Sequence, residues 1–177
     1  MRKTIITVSL FIVFLIIYFL QANIFPNFSI AGITPNLFII YVLFIGLYAN
    51  QTLGVIFGII IGLFLDSVYG QSIGLSAVML CVVGFLGSYF DKNFSKDNKL
   101  TILFMVIGAT VIYELGLYSL KSIIYEFNFE LWFFVRILLL EILYNSLLSI
   151  IFYPIIQKIG YAMDRNFKEN NLLTRYF

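Results

Sequence analysis

The chain has no histidine and a single cysteine, Cys81, among its 177 residues. Imidazole and thiolate metal sites, Ser-His-Asp triads and Cys-His pairs therefore cannot be built from it alone. Charge is scarce as well. Asp, Glu, Lys and Arg make up 11% of the residues, against roughly 25% in a soluble domain. Between Lys3 and Asp91 the only charged residue is Asp66, which no water-facing fold could tolerate. Disordered, collagen-like and disulfide-stapled classes are excluded with it. What fills the space is apolar: 62% hydrophobic residues, 19% aromatic and a mean hydropathy of +1.01. The expected class is an all-α integral membrane protein. A net charge of +2 does not signal nucleic acid, because the basic residues sit at the ends of apolar segments, where they orient a membrane protein.

A spanning helix needs roughly 20 mostly apolar residues. Six stretches qualify: Thr4 to Leu20, Ala31 to Tyr48, Thr52 to Tyr69, Ile73 to Phe90, Leu100 to Leu120 and Leu131 to Ile156. The second is the weakest, since Pro35 belongs in a first helical turn and leaves a short apolar remainder. The first is read as a retained anchor, because its run is long and no small-residue cleavage site follows it. A six-transmembrane-helix bundle with short loops and both termini in the cytoplasm puts Arg2, Lys3, Lys92, Lys96, Lys99, Lys158, Arg165, Lys168 and Arg175 inside. Lys121 alone is then in an outer loop, a strong positive-inside bias that five spans would break. The expected division is residues 1–157 as the membrane domain and 158–177 as a basic cytoplasmic tail. In that tail Ile155, Ile159, Met163 and Phe167 recur every fourth residue, as in a helix lying on the inner leaflet; the alternative is a solvated tail.

Specificity concentrates in the third span, where Gly54, Gly58 and Gly62 recur at the spacing of neighbours on one helix face and Asp66 and Gly70 continue the row. Such a row lets another helix backbone approach closely. It serves either packing within the bundle or docking of a partner helix. Ionisable groups in lipid cost roughly 2.5 to 3.5 kcal/mol each on insertion scales, so Asp66, Glu114, Arg136 and Glu141 each need a partner or a task. Counting helical rise places Asp66, Glu114 and Arg136 in the outer half at one depth, predicting that Arg136 pairs with Glu114, Asp66 or both. Glu141 lies nearer the middle and shares a face with Asn145. The readings left open are internal salt bridges or a proton or substrate path. No clustered carboxylates or Ser-Lys arrangement suggests catalysis, so no catalytic residue, metal or cofactor is expected.

These residues resemble a known family, the rod shape-determining protein MreD. The resemblance rests on Leu20-Gln21, on Pro35-Asn36-Leu37, where the family commonly has Asp after the proline, and on Gly58 to Asp66 followed by Ile73-Gly74-Leu75. It implies a multi-pass protein of the bacterial plasma membrane that is not an enzyme. Its implied partner is the single-span MreC and, through it, MreB filaments and the peptidoglycan synthase of RodA and a penicillin-binding protein. The alternative is a substrate-binding subunit of an energy-coupling-factor transporter, which is also a small six-span protein and needs a pocket with converging polar groups.

Overall fold

The computed structural model describes residues 2–69, 73–126 and 130–168. Among the sequence features above, Gly70, the loop through Ser72, the side chains of Arg2, Lys3 and Lys168, and Arg175 lie outside the described residues. Six α-helices follow in order: α1 (Arg2–Phe19), α2 (Leu37–Tyr48), α3 (Gln51–Tyr69), α4 (Leu75–Asn93), α5 (Lys99–Tyr125) and α6 (Leu131–Lys168). Among the described residues there is no strand, and five helices are long and apolar enough to cross a membrane. The chain is all-α, and its long apolar helices are those of a multi-pass membrane protein.

α2 differs from the expected second span. It starts at Leu37 rather than Ala31, because Ala31 and Gly32 take left-handed φ values of 54° and 80° in a turn closed by mutual hydrogen bonds of Ile30 and Ile33. Twelve residues rise only about 18 Å, less than the roughly 30 Å of a hydrocarbon core. All twelve are buried. A helix that is apolar all round belongs inside a bundle, and α2 is the post around which the other helices stand.

Its two ends mark the two ends of the bundle. At one end, the Asn36 amide donates to Asn145 Oδ1 of α6 at 2.8 Å and the Leu37 amide to Gln21 Oε1 at 3.2 Å. Gln21 belongs to a π-helical turn, Leu20–Ile24, that continues α1. At the other end Tyr48 packs edge-on against Tyr161 of α6, ring centroids 5.9 Å apart, and lies under the Lys96 ammonium of the α4–α5 loop.

α6 is far longer than a span, and it stays helical through Pro154 and across the expected 157/158 boundary as far as Lys168. The segment beyond Lys158 packs on protein. Gly160 sits against the Tyr48 ring, Met163 is buried, and Asp164 bonds Lys96 at 3.0 Å. The face expected to lie on lipid is thus divided: Ile155 and Ile159 are exposed, whereas Met163 and Phe167 pack on the core.

Candidate functional site

The glycine row of α3 packs backbone against backbone. A Cβ on Gly54 would stand 2.7 Å from the Gly46 Cα of α2, one on Gly58 would collide with the Leu80 carbonyl of α4, and one on Gly62 with the Ala77 backbone. Gly84 and Gly87 of α4 answer in kind, against Gly54 of α3 and the Leu43 carbonyl of α2. Three backbones therefore meet where side chains are missing, the geometry that small residues permit in membrane helices. The row is filled by the chain's own α4 and α2, so a partner helix could reach it only by displacing α4.

Asp66 ends that row and, among the described residues, pairs with no cation. Its carboxylate accepts from the amides of Gly74 at 2.8 Å, Ser76 at 3.2 Å and Ala77 at 3.4 Å. These are orphan donors at the start of α4, and a carboxylate there also complements the helix dipole. Gly74 takes φ +104°, a left-handed value that suits glycine. The expected pairing of Asp66 with Arg136 is corrected: the carboxylate is already satisfied by backbone, and its task is to cap α4.

Deeper in the bundle a polar cluster joins α2, α5 and α6. Asn145 is completely buried; its Oδ1 holds the start of α2 and its Nδ2 donates to Thr110 Oγ1 of α5 at 3.1 Å. One turn before it on α6 is Glu141, 6% exposed, with Glu114 of α5, Asn36 and Asn145 around its carboxyl. Among the described residues, Glu141 Oε1 and Asn36 Oδ1 are buried without a hydrogen-bond partner. Leaving such an acceptor unmade costs about 1 to 3 kcal/mol, more if charged. Both residues line a cavity of about 520 Å³ walled by Tyr18, Gln21, Pro35, Phe38, Tyr69 and Tyr113. With eight of its fourteen lining residues polar or tyrosine, the cavity can bind a hydrogen-bond donor. Its mouth is at the α1–α3 side, where Ala22, Val68 and Tyr69 are exposed.

The family model of the rod shape-determining protein MreD matches residues 1–161, every helix up to the turn of α6 that packs on Tyr48. The chain belongs to the MreD family. No curated protein and no solved structure matches it. Membership gives it a role in determining rod shape, in a family of structural rather than enzymatic proteins.

The residues that carried the resemblance to MreD converge in space. Gln21 donates to the Pro35 carbonyl at 2.6 Å and accepts from Leu37, Asn36 is held by Asn145, and Asp66 caps the helix after Gly74. Of the residues that carried the resemblance, Gln21, Pro35, Asn36 and Leu65 line the cavity. The predicted ion pair is not formed: Arg136 is exposed, and among the described residues no ion pair joins it to Asp66, Glu114 or Glu141. It lies only about 8 Å along α6 from the helix start, close enough for a long side chain to snorkel to the interface. Glu114 instead faces Glu141, with Lys121 two turns further along α5 acting on it. Sequence reasoning missed Tyr113 and Ser76, cavity residues whose polar groups face Asn36 and each other. Their only signal was a Tyr-Glu pair midway along an otherwise apolar span.

At the opposite end Lys96 bonds Asp91 at 2.8 Å and Asp164 at 3.0 Å, and Tyr153 donates to the Asp97 carbonyl at 2.9 Å. Tyr161 donates to the Asp97 carboxylate. These contacts tie the end of α6 to the α4–α5 loop. Burial works against the Lys96 charge, but hydrogen bonds to Asp91 and Asp164 outweigh it and hold its pKa above the ordinary 10.5.

Proposed function

We propose that this MreD-family chain is a non-enzymatic scaffold of cell elongation in the bacterial plasma membrane. It binds MreC and, through MreC, supports MreB filaments and the peptidoglycan synthase of RodA and a penicillin-binding protein. Both termini face the cytoplasm and the loop around Glu126 faces out, the arrangement favoured by the basic residues near the tail and the α4–α5 loop. The family match over residues 1–161 carries this reading. The architecture supports it: the described residues are nearly all helix joined by short links, so a partner must be met mainly on helix faces within the membrane. Gly54, Gly58, Gly62 and Asp66 serve partner binding indirectly, by fixing α3, α4 and α2 as one rigid surface.

Purification of the tagged full-length chain from native membranes in mild detergent should retain MreC, and Gly58→Leu should lose it. Absence of MreC from the wild-type preparation would overturn the reading. The cavity favours a second reading, the substrate-binding subunit of an energy-coupling-factor transporter; in that case the energising subunits of such a transporter should be retained instead.

A further inference from the structure

The cavity between α1, α2, α3 and α6 has a chemistry that scaffolding does not use. Two acceptors converge in it, Glu141 Oε1 and Asn36 Oδ1, both buried and both without a partner. Two nearby amide donors are spent elsewhere, Asn145 Nδ2 on Thr110 and Gln21 Nε2 on the Pro35 carbonyl, and the hydroxyls that line the cavity bond neither acceptor. Arg136 is exposed and does not line the cavity. An occupant that brings its own donors fits both atoms.

Its charge follows from the lining. Glu141 brings a carboxyl to the cavity and, among the described residues, no Lys or Arg lines it, so a positive group is favoured there. Aromatic rings of Tyr18, Tyr69 and Tyr113 line the walls, and ring faces attract cations. Its shape follows from the acceptors. Only one Glu141 oxygen is buried without a partner, which suits a compact donor with several N–H bonds rather than a planar guanidinium fork that grips both oxygens of one carboxylate. The volume, about 520 Å³, falls within the roughly 300 to 1,000 Å³ of small-molecule sites.

We propose that this cavity is a binding site for a primary ammonium group, which donates to Glu141 Oε1 and Asn36 Oδ1 between the tyrosine walls. The group can be carried by a soluble amine or by the ethanolamine headgroup of a lipid whose chains leave through the mouth between α1 and α3. The inference is independent of whether MreC binds.

The test uses the full-length chain in phosphatidylglycerol nanodiscs. Ethanolamine and glycerophosphoethanolamine are titrated as soluble probes, and phosphatidylethanolamine is added to the discs in a second arm, with the thermal midpoint and native mass spectrometry as readouts. At least one probe should bind saturably; a response to the lipid alone assigns the headgroup, and a response to the soluble probes assigns a free amine. Choline, which has the charge but no N–H donor, should bind at least about tenfold more weakly, as should ethanolamine to Glu141→Gln, the loss expected for one charge-assisted hydrogen bond. Asn36→Asp adds a second carboxylate and should tighten binding several-fold, which keeps the test decisive if Glu141→Gln fails to fold. No binding by any probe, equal binding of choline, or unchanged affinity in the two variants would overturn the proposal and leave a cavity that holds water alone.

Discussion

Replacing Gly58 by alanine adds one carbon where the backbones of α3 and α4 meet. That carbon would collide with the Leu80 carbonyl oxygen and stand 2.6 Å from the Leu80 carbonyl carbon and 2.9 Å from the Cys81 nitrogen, all backbone atoms of α4. Non-bonded carbons prefer about 3.5 to 4.0 Å, so α3 and α4 must part by about 1 Å, and no side-chain rotamer can relieve the clash. Overpacking of this kind costs about 1 to 3 kcal/mol. Gly108→Ala is the control. Its new Cβ would meet only the Phe90 Cζ at 3.8 Å, an ordinary contact. Both substitutions gain the same helix propensity, roughly 0.5 to 1 kcal/mol, so the difference between them isolates the packing cost. Unfolding of the purified chain by sodium dodecyl sulfate in mixed micelles, followed by far-ultraviolet circular dichroism, should rank Gly108→Ala at or above wild type and Gly58→Ala below Gly108→Ala by about 1 to 3 kcal/mol. A Gly58→Ala protein as stable as Gly108→Ala would refute the close packing of α3 on α4.

Asp66→Ala should destabilise the same bundle by about 0.5 to 2 kcal/mol as a lost helix cap, and Asp66→Asn, which keeps one acceptor oxygen, by less; equal losses in that unfolding assay would remove the capping role. The Lys96 pairing should be intact below the ordinary lysine pKa and lost as pH rises through its raised folded value, because a protonated lysine is favoured in the folded state. Wild type should therefore lose thermal midpoint in strongly alkaline buffer more steeply than Lys96→Met, and parallel pH profiles would count against a stabilising role for the Lys96 pairing. Since Arg136 is exposed and unpaired to Glu114, Arg136→Ala and Glu114→Ala should be additive within about 0.5 kcal/mol in a double-mutant cycle. A larger coupling would restore the ion pair expected from sequence.

The apolar runs of the sequence located all six helices to within a few residues at most ends, because lipid demands long uninterrupted hydrophobic segments. Pro35 already marked the second segment as short, and the structure shows why: the chain turns at Ala31-Gly32 and enters the bundle only at Leu37. The glycine row was legible as a close-approach surface, but its occupant was not, since spacing along one helix says nothing about which helix answers it. The charges were harder. Depth counting placed Asp66, Glu114 and Arg136 at one level, yet nearly featureless apolar helices give no polar face from which to read rotation. Asp66 therefore found amides eight to eleven residues ahead, Arg136 turned outward, and Glu114 met Glu141. The Glu141-Asn145 stripe was visible at helical spacing, whereas its junction with Asn36 and Thr110 is made only by tertiary packing. The docking of the α6 end likewise depends on Lys96 and Tyr48, distant in sequence from the residues they hold.

The most direct measurement of the central claim is the shape of the native cells as the chain is depleted and then restored from a plasmid. A scaffold of the elongation machinery predicts that rods shorten and round before growth stops, and that the wild-type chain returns them to rods while Gly58→Leu does not. Cells that stay rod-shaped through full depletion while losing uptake of a small solute would contradict the account and make the chain a transporter subunit.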